Sequence, residues 1–268
     1  MKNKLIASAI LGLSLAASGS ASAIVVNGVD FGATGLTTHL ETTTLAETIV
    51  TAAGQTLTGY GQVNTVNGNL FYAGADRLYF IFSYNVLTFG AGAATFDAGV
   101  VDVYKLATFN LLSQGSAGVG GNIDLINNGT LWATFTGHGM NGTTTELTST
   151  GTLTGSTISF TGAGLLDVVA GPLGVLSYLN SNGIGDGAGG FADIAITTSG
   201  NNGVLNSFDI AAGNATGCTD GTAVAGQWCI AGSADLRGTT HVPEPETLAL
   251  LGIGLLGMGV SLRKRKSA

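Results

Sequence analysis

The sequence predicts an all-β body, a β-sandwich or jelly-roll-like domain, set between an N-terminal signal-peptide helix and a C-terminal single apolar helix. Three observations carry that expectation. Apolar and β-branched runs of strand length recur through the middle of the chain, and such runs between turn residues read as strands. The 44 glycines fall largely between those runs, and Gly adopts positive φ without steric cost, so its excess reads as tight turns. Hydrophobic residues make up 45 % and charged ones only 9 %, which suits one sizeable core and is unlike a disordered chain.

The elements follow in order. Lys2 and Lys4 form a positive N-terminal region, Leu5 to Ala17 is an apolar run, and Ala21-Ser22-Ala23 supplies a small-x-small cleavage site for signal peptidase. Residues 1–23 are therefore expected to be removed, and the body to run from Ile24 to Val242. Leu40 to Ala52 is the one segment with a plausible helical pattern, although its Thr content weakens it. Arg77 to Phe89 (RLYFIFSYNVLTF) is apolar on both alternating faces and reads as a central buried strand. Val100 to Tyr104 and Thr130 to Thr136 are strand-like by β-branched and aromatic content. Leu147 to Phe160 reads as a hairpin region around Gly151 and Gly155. Gly164 to Val169, Phe191 to Thr198 and Ser233 to Arg237 complete the strands. Loops are expected at Gly115 to Asn122, Gly137 to Gly142, Asn180 to Gly190 and Thr198 to Gly203.

Charge and side-chain chemistry narrow the function. Between Ile24 and Val242 eleven Asp and three Glu face only Arg77, Lys105 and Arg237, leaving the body near −11. That excludes a nucleic-acid partner, which requires basic patches against phosphate. Cys218 and Cys229 are the only cysteines, and an even count in an exported chain predicts a disulfide. His39, His138 and His241 are scattered without metal-ligand spacing, so no metal is expected, and His138 reads as an exposed loop residue. Asn182-Gly183-Ile184-Gly185-Asp186-Gly187 holds a weak calcium candidate at Asp186; otherwise no cofactor is expected. No Gly-x-Ser-x-Gly occurs, and no pair among the many Asp is singled out for acid–base work, so the chain is expected not to be an enzyme.

The C-terminus has three consecutive parts. Val242-Pro243-Glu244-Pro245 should be stiff and extended, because Pro lacks an amide donor and restricts its predecessor. Thr247 to Leu262 is free of charge and rich in Leu and Gly; as a helix it would span about 24 Å, short of a hydrocarbon core of ~30 Å. Arg263, Lys264, Arg265 and Lys266 form a basic stop-transfer cluster that should stay cytoplasmic. Motif, span and cluster together resemble a PEP-CTERM sorting domain over residues 243–268. The resemblance implies transient insertion in the inner membrane, processing by an exosortase near Pro243-Glu244-Pro245, and delivery to the surface or exterior of a Gram-negative bacterium that makes exopolysaccharide. An outer-membrane barrel shows similar alternation, but the apolar tail argues against one.

The body resembles, more faintly, the flocculation-associated PEP-CTERM proteins, through Leu57-Thr58-Gly59-Tyr60-Gly61, Leu131-Trp132 with Thr136-Gly137-His138, and Leu165-Leu166-Asp167-Val168-Val169. That resemblance implies a structural or adhesive role in floc or biofilm formation alongside exopolysaccharide. The alternative is a secreted carbohydrate-binding module using Trp132 or Trp228 as exposed stacking platforms.

Overall fold

The computed structural model describes residues 23–33, 37–111, 118–203 and 218–240; residues 1–22 of the expected signal peptide and the tail from His241 lie outside them. Fourteen strands and two short helices make up the described body, within one compact unit, Ile24–His241. The all-β expectation holds, but the sheet does not divide into the two layers of a sandwich. Strands β3 (Thr37–Thr48), β4 (Thr56–Gln62), β6 (Asp76–Phe89), β7 (Ala93–Ala107), β8 (Thr130–His138), β10 (Ser159–Ala170), β13 (Ile194–Asn201) and β14 (Trp228–Thr239) form a closed antiparallel ring. β10 closes it by pairing on one side with β13, from Ser159↔Asn201 to Leu166↔Ile194. On its other side it pairs first with β9 (Leu147–Thr152) and then with β8. β7 likewise pairs with β9 at Ala93–Phe96 and with β8 at Val100–Lys105, so β8 and β9 share one place in the wall.

The alternation of side chains settles which face is which. Phe80, Phe82, Tyr84 and Val86 of β6 are buried inside, as are Ala94, Phe96, Val101 and Val103 of β7. The intervening positions carry Ser83, Asn85, Asp97 and Asp102, and β3, β10 and β14 turn Glu41, Asp167 and Asp235 outward. Apolar inside and polar outside is the inverse of a membrane-spanning barrel, which presents its apolar face to lipid. Among the described residues no helix is long and apolar enough to cross a membrane.

One end of the ring is packed by a hairpin and a helix. β1 (Ala23–Val26) and β2 (Val29–Ala33) are joined by Asn27-Gly28, both at positive φ, the two-residue turn whose twist matches paired strands. Phe31 of β2 contacts Tyr178 of α2 (Leu173–Leu179) at 4.7 Å between ring centroids and Trp132 of β8 at 6.2 Å. A second small core lies outside the wall, where Ile126 of α1 (Gly118–Asn127) meets Ala46, Tyr60 and Tyr79. The short β5 (Thr65–Val66) pairs with β3, and β11 (Ile184–Gly185) pairs with β12 (Phe191–Ala192) in a separate hairpin.

Four expectations need correction. Leu40 to Ala52 is not helical: β3 runs to Thr48 and pairs with β14, β4 and β5, as its β-branched threonines favour. Residues 118–122 are not loop but the start of α1, which tertiary contacts hold despite its glycines: Asn122 Nδ2 donates to Tyr60 Oη at 3.1 Å and to the Leu111 carbonyl at 2.8 Å. The segment at Thr198 stays in β13 as far as Asn201, and the last strand extends from Trp228 to Thr239 rather than from Ser233 to Arg237.

Candidate functional site

Three places on the body gather chemistry. The first is the barrel interior, where a cavity of about 90 Å³ is lined by Leu45, Leu57, Phe80, Phe82, Phe96 and Leu147 among others. Space remains because glycines replace side chains beneath aromatic rings. A Cβ at Gly59 would lie 2.1 Å from Phe82, one at Gly99 2.1 Å from Tyr84, and one at Gly200 2.5 Å from Phe160. Each ring therefore lies flat across the neighbouring strand. Polar groups also line this cavity. Thr48 and Thr198 hydroxyls bond within the wall, to Thr58 and the Ser233 carbonyl. Tyr84 Oη and Ser149 Oγ are buried and have no hydrogen-bond partner. Glu47, flanked in the wall by Gly59 and Ile230, is 4 % exposed, and burial pushes its carboxyl up to about 8.

The second place is on the outer face, where β3 and β14 bring His39, Glu41 and Asp235 together. His39 Nε2 lies 3.3 Å from Glu41 Oε1 and 3.7 Å from Asp235 Oδ1. One ligand atom from each of the three falls within 4.8 Å of the others, the donor set a small divalent ion could use. Arg237 also reaches Asp235, at 3.9 Å. Sequence reasoning missed this group because it took the three histidines as scattered and without an acidic partner. The signal was His39-x-Glu41, an i, i+2 pair that a strand places on one face.

The third place centres on His138. It is not an exposed loop residue but the last residue of β8, 19 % exposed at its side chain, between two carboxylates: Nδ1 lies 2.7 Å from Asp167 Oδ2 and Nε2 3.6 Å from Asp186 Oδ2. The Asp167 hydrogen bond above all raises its pKa. Asp186, the calcium candidate, has both oxygens engaged. Oδ1 accepts the amides of Ala188 and Gly190 at 2.7 and 2.9 Å, and Oδ2 faces His138. The Ala188 amide first, then Gly190 and His138, hold this carboxylate below its usual range.

The remaining sequence candidates fall as follows. Cys218 and Cys229 are joined in a disulfide, buried against Ile49, Ile158 and Ile230. Trp132 is 0 % exposed, and Trp228 packs edge-on against Tyr60 at 5.2 Å, so neither is the exposed platform that the carbohydrate-binding alternative named. Ala23 is the first residue of β1; Ala21, Pro243, Glu244, Pro245, Arg263, Lys264, Arg265 and Lys266 lie outside the described residues.

Residues 241–266 match the PEP-CTERM protein-sorting motif. The chain is thus an exported protein, directed through the membrane to secretion or to the cell surface. It carries a PEP-CTERM sorting signal over these residues, which indicates sorting by an exosortase. Neither curated proteins nor solved structures give a match.

Proposed function

We propose that this PEP-CTERM protein is a structural or adhesive component of the surface or extracellular matrix of a Gram-negative bacterium, acting in floc or biofilm formation with exopolysaccharide and catalysing no reaction. The sorting motif at residues 241–266 carries the reading, because export to the surface or exterior would bring the body within reach of exopolysaccharide. The outer face supports it. Asp97, Asp102, Asp167 and Asp235 stand on the polar side of the ring, and the body holds only three cations between Ile24 and Val242. A surface so acidic would engage anionic polysaccharide through divalent cations or through neutral hydrogen bonds.

A deletion strain tests this directly. Aggregation should be lost while polysaccharide export continues, and calcium chelation should disperse wild-type flocs. Normal aggregation in the deletion strain would overturn the role. Processing has its own test: alanines at Pro243, Glu244 and Pro245 should leave the full-length chain in the inner membrane, and a mutant reaching the surface at wild-type size would sink that step.

A further inference from the structure

We infer that the outer face of the ring holds a binding site for a divalent transition-metal ion of the zinc class, built from His39 Nε2, Glu41 Oε1 and Asp235 Oδ1. The inference stands apart from the adhesive role. Pairing of β3 with β14 sets Glu41 directly opposite Asp235, and His39, two positions before Glu41, shares its face of the strand. The separations fit an ion. Bonds of about 2.0–2.2 Å in a tetrahedral site place neighbouring nitrogen and oxygen donors about 3.4 Å apart. His39 Nε2 stands 3.3 Å from Glu41 Oε1 and 3.7 Å from Asp235 Oδ1. Among the described residues no other three His, Cys or carboxylate donors draw together as these do.

Two further observations turn the group toward an ion. His39 Nε2 makes no hydrogen bond and is shut off from water, although two carboxylates lie beside it. A ring nitrogen left in that state is costly, and a metal on its lone pair would satisfy it. Each carboxylate also divides its oxygens. Glu41 Oε2 accepts the Thr65 hydroxyl, and Asp235 Oδ2 lies 3.9 Å from Arg237 Nη2, which leaves Oε1 and Oδ1 on the side of His39. Carboxylates that ligate metals are held by such outer partners. The pair balances the charge of a dication, and Arg237, 68 % exposed at its side chain, opposes the ion only through screening solvent. The imidazole selects the metal. Calcium and magnesium take oxygen ligands, whereas imidazole with carboxylates suits zinc and its neighbours. Glu41 and Asp235 are 38 % and 40 % exposed at their side chains, so an ion reaches the group through them. With three protein donors it would keep a position open to water.

The test uses the untagged, metal-stripped mature protein, titrated calorimetrically with Zn²⁺ alone and again in excess Ca²⁺. A single Zn²⁺ per chain should bind saturably and stay bound against Ca²⁺. In nitrogen NMR the Nε2 resonance of His39 should move as zinc is added. His39→Gln, Glu41→Gln and Asp235→Asn should each weaken zinc by at least about tenfold, the scale seen when a group that supports a metal site is lost. Should one of the three fail to fold, the other two decide. The absence of saturable zinc binding, displacement by Ca²⁺, undiminished affinity in His39→Gln, or a loss that follows His138→Gln instead would each overturn the assignment.

Discussion

Two polar side chains, Asn202 and His138, show how much single residues fix locally. Asn202 is 1 % exposed and joins three segments. Its Oδ1 accepts the Ile158 amide at 2.7 Å, and its Nδ2 donates to the carbonyls of Ser156, at 3.1 Å, and Cys218. Asn202→Ala should therefore cost roughly 2–4 kcal/mol, because it strands a buried amide and two carbonyls together; a denaturant midpoint indistinguishable from wild type would refute this. His138 should titrate above its ordinary value of 6.5, because Asp167 holds the proton on Nδ1. Its contribution to stability is complete below the unfolded pKa and fades as pH rises through the folded one. Asp167→Asn should lower the midpoint seen by NMR; an unchanged midpoint would remove Asp167 as the cause. Neither role was legible in sequence. Asn202 stands in a run expected to be loop, and the carboxylates flanking His138 come from 29 and 48 residues further along the chain.

Elements were legible where apolar and β-branched runs of strand length were plain and hidden where tertiary contacts decided. The run from Arg77 to Phe89, apolar on both faces, marked β6 within a residue of its bounds, Asp76–Phe89. The hairpin around Gly151 and Gly155 is also present, as β9 and β10. β3 was misread because Leu45 and Ile49, four residues apart, also fit one face of a helix, and only pairing with β14 exposes the strand. The glycine signal was half read: turns use some, but Gly59, Gly99 and Gly200 lie within strands to admit aromatic rings, a cross-strand device that local sequence does not display. The disulfide loop between Cys218 and Cys229 packs against Ile49 and Ile230 of the adjoining wall. Replacing both cysteines with serine should lower stability by about 3 kcal/mol, the loop-closure entropy of a ring this size. A thermal transition within a degree of wild type would show that the loop is held by packing and by Asn202 instead.

For the whole molecule, composition announced an all-β body but could not announce closure. A sandwich and a barrel share strand length and alternation, and the difference lies in one strand, β10, finding partners on both sides. The barrel interior also creates a pH dependence. Glu47 has a folded midpoint of about 8 against 4.5 in the unfolded chain. The native state therefore keeps a proton that the unfolded chain has lost, and stability falls as pH rises between those values. Glu47→Gln should flatten that slope and stabilise the protein at pH 8 by up to on the order of 4 kcal/mol. Identical pH profiles for variant and wild type would mean the carboxyl is hydrated in solution. His138 and the repulsion within a body near −11 act in the same direction, so mildly acidic conditions should favour the fold.

Closure also governs how such a chain could take part in a material. The long strands of the ring have neighbours on both sides within their own chain, so among the described residues the ring offers no extended backbone edge for a strand from another copy. A gel containing it could not lengthen as a cross-β fibre without first opening the ring. Copies would meet as discrete beads, through side chains, cations or strands of sugar. The resulting network would be granular and reversible, yielding when its contacts are dissolved rather than persisting as insoluble thread.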